Sequence, residues 1–319
     1  VFGVSGQIYS QEEKRLGLSF LKGYSRLSSA LRRRCGWYGS NPFLRFAPPG
    51  HFYSPLPDMR FVNRYQTALF DRQIRSVPGI ENNVEDQFAL IDRFSLYYTD
   101  LPFKDDKGPG LRYYFRNPYF SYGDAIILYS MLRHYRPQRI IEVGSGFSSA
   151  AMLDTNDLFC SKTIEFTFIE PYPERLYSLL SDEDKKRHAI LIDIVQDVQL
   201  ERFAALKAGD ILFIDSSHIA KIGSDVVHLL TNVLPSLNTG VLVHFHDVFW
   251  PFEYPEDWVR GGRAWNENYM LKAFLQFNAN FKILFFNSYL AIHHRDKIEQ
   301  TLPLFLKNTG GSLWIEKTS

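Results

Sequence analysis

The sequence predicts an α/β fold: a mostly parallel sheet with helices on both faces, preceded by a mainly helical extension over residues 1–112. Three observations predict it. Residues 139–150 read RIIEVGSGFSSA, an apolar β-branched strand, a glycine-rich turn and a helix start, which is the opening unit of a nucleotide-binding sheet. Further short apolar runs follow at strand–helix spacing, over 163–169, 189–194, 210–215 and 240–247. At 319 residues and 45% apolar content, the chain is long enough for one large core plus an extension.

The elements follow in order. Residues 11–38 carry apolar positions at helical spacing among basic ones, ending in Arg32-Arg33-Arg34, and predict a solvated helix face. Residues 47–58 read APPGHFYSPLPD. The prolines fix an ordered, extended loop. It displays His51 and Tyr53 as candidate substrate contacts, either as a lid or as a domain-joining strap. Residues 60–100 predict helices broken near Pro78-Gly79. Asp124 opens an apolar helix running to Tyr135, as its N-cap if nothing more.

In the turn, Gly144 and Gly146 suit unusual φ or close approach of a ligand, with Ser148 or Ser149 as helix cap. Glu142 puts an acid at the strand end. The second strand ends at Glu170, and Pro171 stops the pairing. An acid roughly 20 residues after the glycine turn can accept hydrogen bonds from ribose hydroxyls. This points to an adenosine cofactor. The third glycine of G-x-G-x-x-G is replaced by Ser149, so the pyrophosphate-binding pattern is incomplete, which counts against NAD.

The fourth and fifth strands end in Asp215-Ser-Ser-His218 and in His244-Phe-His246-Asp247, at the edge where open α/β sheets place ligands. Five ionisable groups converge there. His218 is the first candidate for general base and His246 the second, with Asp215 and Asp247 orienting the base or holding a metal. Residues 250–258, WPFEYPEDW, form an aromatic loop in which Trp250 and Tyr254 are candidates to line an acceptor pocket. A helix over 269–277, strands at 281–286 and 313–317 and a helix over 295–306 complete the pattern.

A formal net charge of +1 disfavours nucleic acid as a bulk substrate. Cys35 and Cys160 give neither a disulfide framework nor a zinc spacing, which suits a reducing cytosol and a cytoplasmic location. No apolar run approaches the ~18 residues of a transmembrane helix, and no signal peptide is visible. The chain begins with Val, which points to a trimmed chain or one domain of a longer polypeptide. A homodimer is left open.

Residues 113–319 resemble the class I S-adenosylmethionine (SAM)-dependent methyltransferases, in a bacterial branch carrying IIEVGSGFSSA, FIDSSH, GVLVHFHDVFWPFEY and GRAWNENYMLKAF in order. The resemblance implies a Rossmann-like, seven-stranded sheet with one reversed strand. It implies that Glu142, Gly144, Ser145 and Gly146 form the SAM-binding turn and that Glu170 takes the ribose. Asp124 and Asp215 also fall to the cofactor, Asp124 at its ammonium group. Gln196 or Asp197 meets the adenine amino group. Asp215 and Asp247 stand where cation-dependent O-methyltransferases hold a divalent metal, but histidines beside these acids depart from that pattern. The expected activity is O-methylation of a sugar hydroxyl, a natural-product hydroxyl or a peptide carboxylate, in glycan or natural-product biosynthesis. The rivals are an NAD-dependent oxidoreductase and a non-catalytic binding module of the same fold.

Overall fold

The computed structural model describes residues 41–319; the helix expected over 11–38, with its arginine run, lies outside them. The chain groups into two compact units that divide between Gln66 and Thr67, and each is described by itself. In the first, α1 (Pro42–Phe46) starts on Pro42, with the Asn41 side chain accepting from Phe43 N at 3.0 Å. The proline-rich loop folds into successive turns, His51 N to Pro48 O and Ser54 N to His51 O, rather than the extended run expected. His51 packs on the rings of Phe52 and Tyr53. α2 (Met59–Leu69) follows.

The second unit holds one seven-stranded sheet in the order β3-β2-β1-β4-β5-β7-β6. Its strands are β1 (Arg139–Val143), β2 (Glu165–Ile169), β3 (Ala189–Leu191), β4 (Ile211–Ile214), β5 (Leu242–Phe245), β6 (Phe281–Phe286) and β7 (Leu313–Lys317). The four pairings among β1 to β5 are parallel, and β7 runs antiparallel to both β5 and β6. β4 and β5 are buried along their whole length, as a sheet covered on both faces requires. Strands two to five are each shorter than the apolar runs suggested: β2, β4 and β5 start later, and β3, β4 and β5 release their last residues to the ligand edge.

α3 (Val84–Tyr98) and α4 (Tyr122–Tyr135) precede β1. α4 begins two residues before Asp124, so Ser121 is the N-cap residue and Asp124 lies in the first turn. Arg112 ties this region to the helices, reaching Asp154 at 2.8 Å and Asp184 at 2.7 Å. α5 (Phe147–Phe159) follows the glycine turn with Gly146 at its N-cap position. The two serines are therefore not the cap. Ser148 and Ser149 lie inside the first turn and donate back to Glu142. Later helices include α6 (Glu174–Leu179), α7 (Asp182–Arg187), α8 (Leu200–Ala204), α9 (Asp225–His228), α10 (Glu256–Arg260) and α11 (Glu267–Leu275). α12 (Asn287–His293) and α13 (Arg295–Thr301) precede β7. The helix expected over 295–306 stops at Thr301, since Pro303 starts a separate 3-10 turn. Among the described residues no helix is long and apolar enough to cross a membrane.

Candidate active site

β1 and β4 are neighbours whose outer connections run to opposite sides of the sheet, and a crevice opens at their carboxyl ends. Gly144 has φ +78°, and a Cβ there would sit 1.9 Å from the carbonyl oxygen of Asp215. Glycine is thus required because the turn touches the end of β4, whatever the ligand does. Gly146 is less constrained: a Cβ would meet only the flexible Arg175 side chain, at 3.2 Å. Glu142 is fully buried. Burial pushes its carboxyl up to about 8, against the pull of the serine hydroxyls. It anchors the turn from beneath. Ser149, at the third glycine position, also accepts from Gly146 N at 3.0 Å.

Glu170 accepts from Ser145 N at 3.0 Å and from Tyr172 N at 2.8 Å, tying the turn to the end of β2 while staying partly open to solvent. Ser145 Oγ is buried without a partner. Gln196 donates to Gly223 O at 2.7 Å, leaving its buried Oε1 unpartnered, whereas Asp197 is exposed. A free hydroxyl in the turn, a half-open carboxylate and a free amide acceptor suit an adenosyl cofactor with its ribose and amino group.

Beyond β4 and β5 the expected cluster assembles around His218. Its Nδ1 lies 2.8 Å from Glu267 Oε2, and its Nε2 lies 3.5 Å from Asp215 and 3.6 Å from Asp247. Burial opposes the charged imidazole, yet Asp215 and Glu267 outweigh it and push it up to about 10. His246 likewise overcomes burial and is raised well above its ordinary value, by Asp247 and Asp215 first and then Asp124. Its Nδ1 is 3.4 Å from Asp215 and its Nε2 3.5 Å from Asp124. Burial would raise the Asp215 carboxyl, but the two imidazoles hold it well below the usual carboxylate range. Burial keeps Asp247 raised despite both histidines. His218 and Asp247 both adopt left-handed backbone, at φ +60° and +57°, a strain that cores seldom keep without a functional use.

His244 stands apart. It is fully buried, stacks on Phe213 at 3.8 Å and bonds Ser312 at 2.8 Å. Burial holds it well below its ordinary value, so it stays neutral. Ser312 in turn donates to Asp124 at 2.6 Å. Asp124 is occupied by Ser312, Gly311 N and His246, so its carboxylate supports the cluster from within the fold.

Glu267 escaped sequence reading. It lies 49 residues from His218, and its only mark was a place inside the conspicuous GRAWNENYMLKAF run. Trp265, also unassigned, lies over His218 at 4.3 Å between ring centroids. Trp250 is fully buried, with its indole N–H donating to Ile74 O; it is a core residue. Tyr254 is 1% exposed, with its hydroxyl accepting from Asn268 N and its ring edge on Trp265. It backs the aromatic wall. His51 and Tyr53 belong to the first unit.

A resident metal does not fit these residues. The imidazoles of His218 and His246 stand 3.4 to 3.8 Å from Asp215 and Asp247, a mixed histidine and carboxylate set that departs from the all-oxygen shell Mg²⁺ prefers. Among the described residues no three His, Cys, Asp or Glu side chains are grouped to hold an ion.

The family described as a methyltransferase domain matches residues 141–248, from β1 through the Asp247 turn. The chain carries a methyltransferase domain of this family. An uncharacterized protein of Archaeoglobus fulgidus is 38% identical over 169 residues, spanning 50% of this chain and 73% of that one. Similar solved structures include the S-adenosylhomocysteine-bound methyltransferase PaMTH1 of Podospora anserina, at 13% identity. It is covered over 77% of this chain and 100% of that one, with a TM-score of 0.42. The O-methyltransferase TomG of Streptomyces achromogenes is 16% identical over 81% of this chain and 96% of that one, with a TM-score of 0.40. The matched stretch contains the glycine turn, Glu170, Gln196 and the Asp215, His218, His246 and Asp247 cluster.

Proposed function

We propose that this methyltransferase methylates a hydroxyl group of a small-molecule, sugar or peptide acceptor, with His218 as the base. The observation that carries the reading is the Glu267–His218 pair opening onto Asp215 and Asp247. SAM, when bound, supplies an electrophilic methyl group on a sulfonium cation. The turn residues Gly144 to Gly146, Glu170 and Gln196 would hold it. Four carboxylates, Asp124, Asp215, Asp247 and Glu267, stand against two imidazoles, so excess negative charge remains even with both histidines protonated. That balance suits a cationic cofactor.

A hydroxyl becomes a competent nucleophile as its proton leaves. Glu267 fixes His218 through Nδ1, so Nε2 is the working atom and faces the two aspartates. With an imidazole pushed up to about 10, the resting residue keeps its proton at neutral pH. Freeing it at pH 7 costs about 4 kcal/mol, from roughly 1.4 kcal/mol per pH unit. Any cation brought beside Asp215 and Asp247 competes for the carboxylates that hold this proton, and lowers the cost. Trp265 covers the ring and excludes water from it.

The test is transfer of label from methyl-labelled SAM to hydroxyl-bearing acceptors, followed by alkaline treatment of the product. Methyl ethers survive alkali, and methyl esters release methanol. Alkali-stable label on oxygen is expected. Release as methanol, or label on nitrogen, contradicts the reading.

A further inference from the structure

The wall beside His218 has a feature that methyl transfer alone does not require. Trp265 lies on His218, Trp258 meets Trp265 edge to face at 5.5 Å, and Phe249 meets Trp258 at 5.3 Å. Each end of this row carries a guanidinium. Arg263 lies 4.4 Å over Trp258 and 5.5 Å over Trp265. Arg72 lies 5.8 Å over Phe249. Neither guanidinium has an ion pair or a side-chain hydrogen bond among the described residues. Arg72 is half-buried, and burial lowers its hold on its proton, with Asp257 and Glu253 acting on it only at a distance. A desolvated, unpaired arginine is costly. Arg72 is such a group, and with the exposed Arg263 on the same aromatic row that ends at the base it forms a set that a ligand would complete.

We propose that the acceptor is a small ring compound bearing a carboxylate or phosphate, with its ring face on Trp265 beside His218 and its anion drawn to Arg72 and Arg263. This rests on the methyltransferase reading and names the acceptor class for the same site. A flat apolar ring face, aryl or pyranose, stacks on indole. The guanidinium fork matches carboxylate and phosphate oxygens. The acidic pit around His218 disfavours the anion, so the two charges orient the ligand with its hydroxyl inward.

The test uses the full chain saturated with S-adenosylhomocysteine, whose own binding is first measured by calorimetry. Two matched pairs are then titrated by tryptophan fluorescence and saturation-transfer NMR. They are 4-hydroxybenzoate against 4-hydroxybenzamide, and glucose 6-phosphate against glucose. At least one anion should bind about tenfold or more tighter than its neutral partner, as a charged hydrogen bond implies. The pair showing the preference distinguishes an aryl from a sugar acceptor. Arg72→Met and Arg263→Met should each erode that ratio, while Trp265→Leu should weaken both members of the pair. Equal binding within both pairs overturns the proposal, as does a preference unchanged in both arginine variants, or no binding of any of the four. If S-adenosylhomocysteine itself fails to bind, the methyltransferase reading falls; if it binds and the preference is absent, only the acceptor class falls.

Discussion

Glu267→Gln isolates the contact that sets the charge of His218. The Glu267 carboxylate lies 2.8 Å from His218 Nδ1 and is 1% exposed. A glutamine keeps the shape, and its carbonyl can still accept from Ser216 Oγ, now 2.9 Å from Glu267 Oε1. The imidazolium loses a charged hydrogen bond worth about 1.5–3 kcal/mol, which corresponds to roughly one to two pH units. The imidazole should fall from about 10 to roughly 8–9. A base acts when unprotonated, so turnover at saturating SAM should climb with pH, and its alkaline midpoint should move down by that amount in the variant. Nitrogen-detected NMR of His218 should show the same displacement. Stability gives an independent sign. The folded-state imidazole lies above the unfolded one near 6.5, so its contribution is full below that pH and is lost as pH rises toward 10. The variant should therefore be most destabilised at pH 6, and the deficit should shrink by pH 10. A midpoint unchanged in both rate and NMR would refute the role given to Glu267. An activity profile rising only through acidic pH would move the base from His218 to a carboxylate.

Other expectations follow from single contacts. His218→Ala should bind S-adenosylhomocysteine normally by calorimetry yet lose turnover by about 10²–10⁴; near-parent turnover would shift the role to His246. Gly144→Val should unfold or misplace Asp215, because its side chain would enter the space of the Asp215 carbonyl; a variant with parental melting and cofactor affinity contradicts the packing argument. Glu142→Gln removes a buried carboxyl held up to about 8, whose ionisation costs the folded state as pH rises between about 4.5 and 8. In thermal melts the variant should therefore gain on the parent from pH 5 to pH 8, and an unchanging gap would be wrong for a buried acid. Chelator should leave turnover unaltered, since Asp215 and Asp247 are committed to imidazoles; loss restored by added divalent ion would overturn that assignment.

The sheet was readable because its parts announce themselves locally. Ile140, Ile141 and Val143, the Gly144 turn and the strand-terminal acids each need only a few neighbours in sequence. The convergence of Asp215, His218, His246 and Asp247 was readable because the end of a parallel strand is a fixed place in this architecture. Contacts across distant segments were not. Nothing local joins Glu267 to His218, or Asp124 to Ser312 and His246, until the chain is folded. Trp250 looked like a pocket residue because aromatic loops line sites and cores alike. Its burial is decided by packing against Phe286 and Tyr289. The protonation of His218 was also hidden, since it depends on carboxylates from three separate segments.

Calorimetric titration of S-adenosylhomocysteine into the parent and into Glu170→Ala, with melting temperatures confirming that the variant is folded, decides whether the Gly144–Gly146 turn and the Glu170 carboxylate at the end of β2 form the adenosyl site of a methyltransferase. One molecule should bind per chain. The variant, deprived of the acceptor for the ribose hydroxyls, should bind about ten- to a hundredfold more weakly. No binding to the parent, or equal affinity in a folded Glu170→Ala, would contradict that assignment.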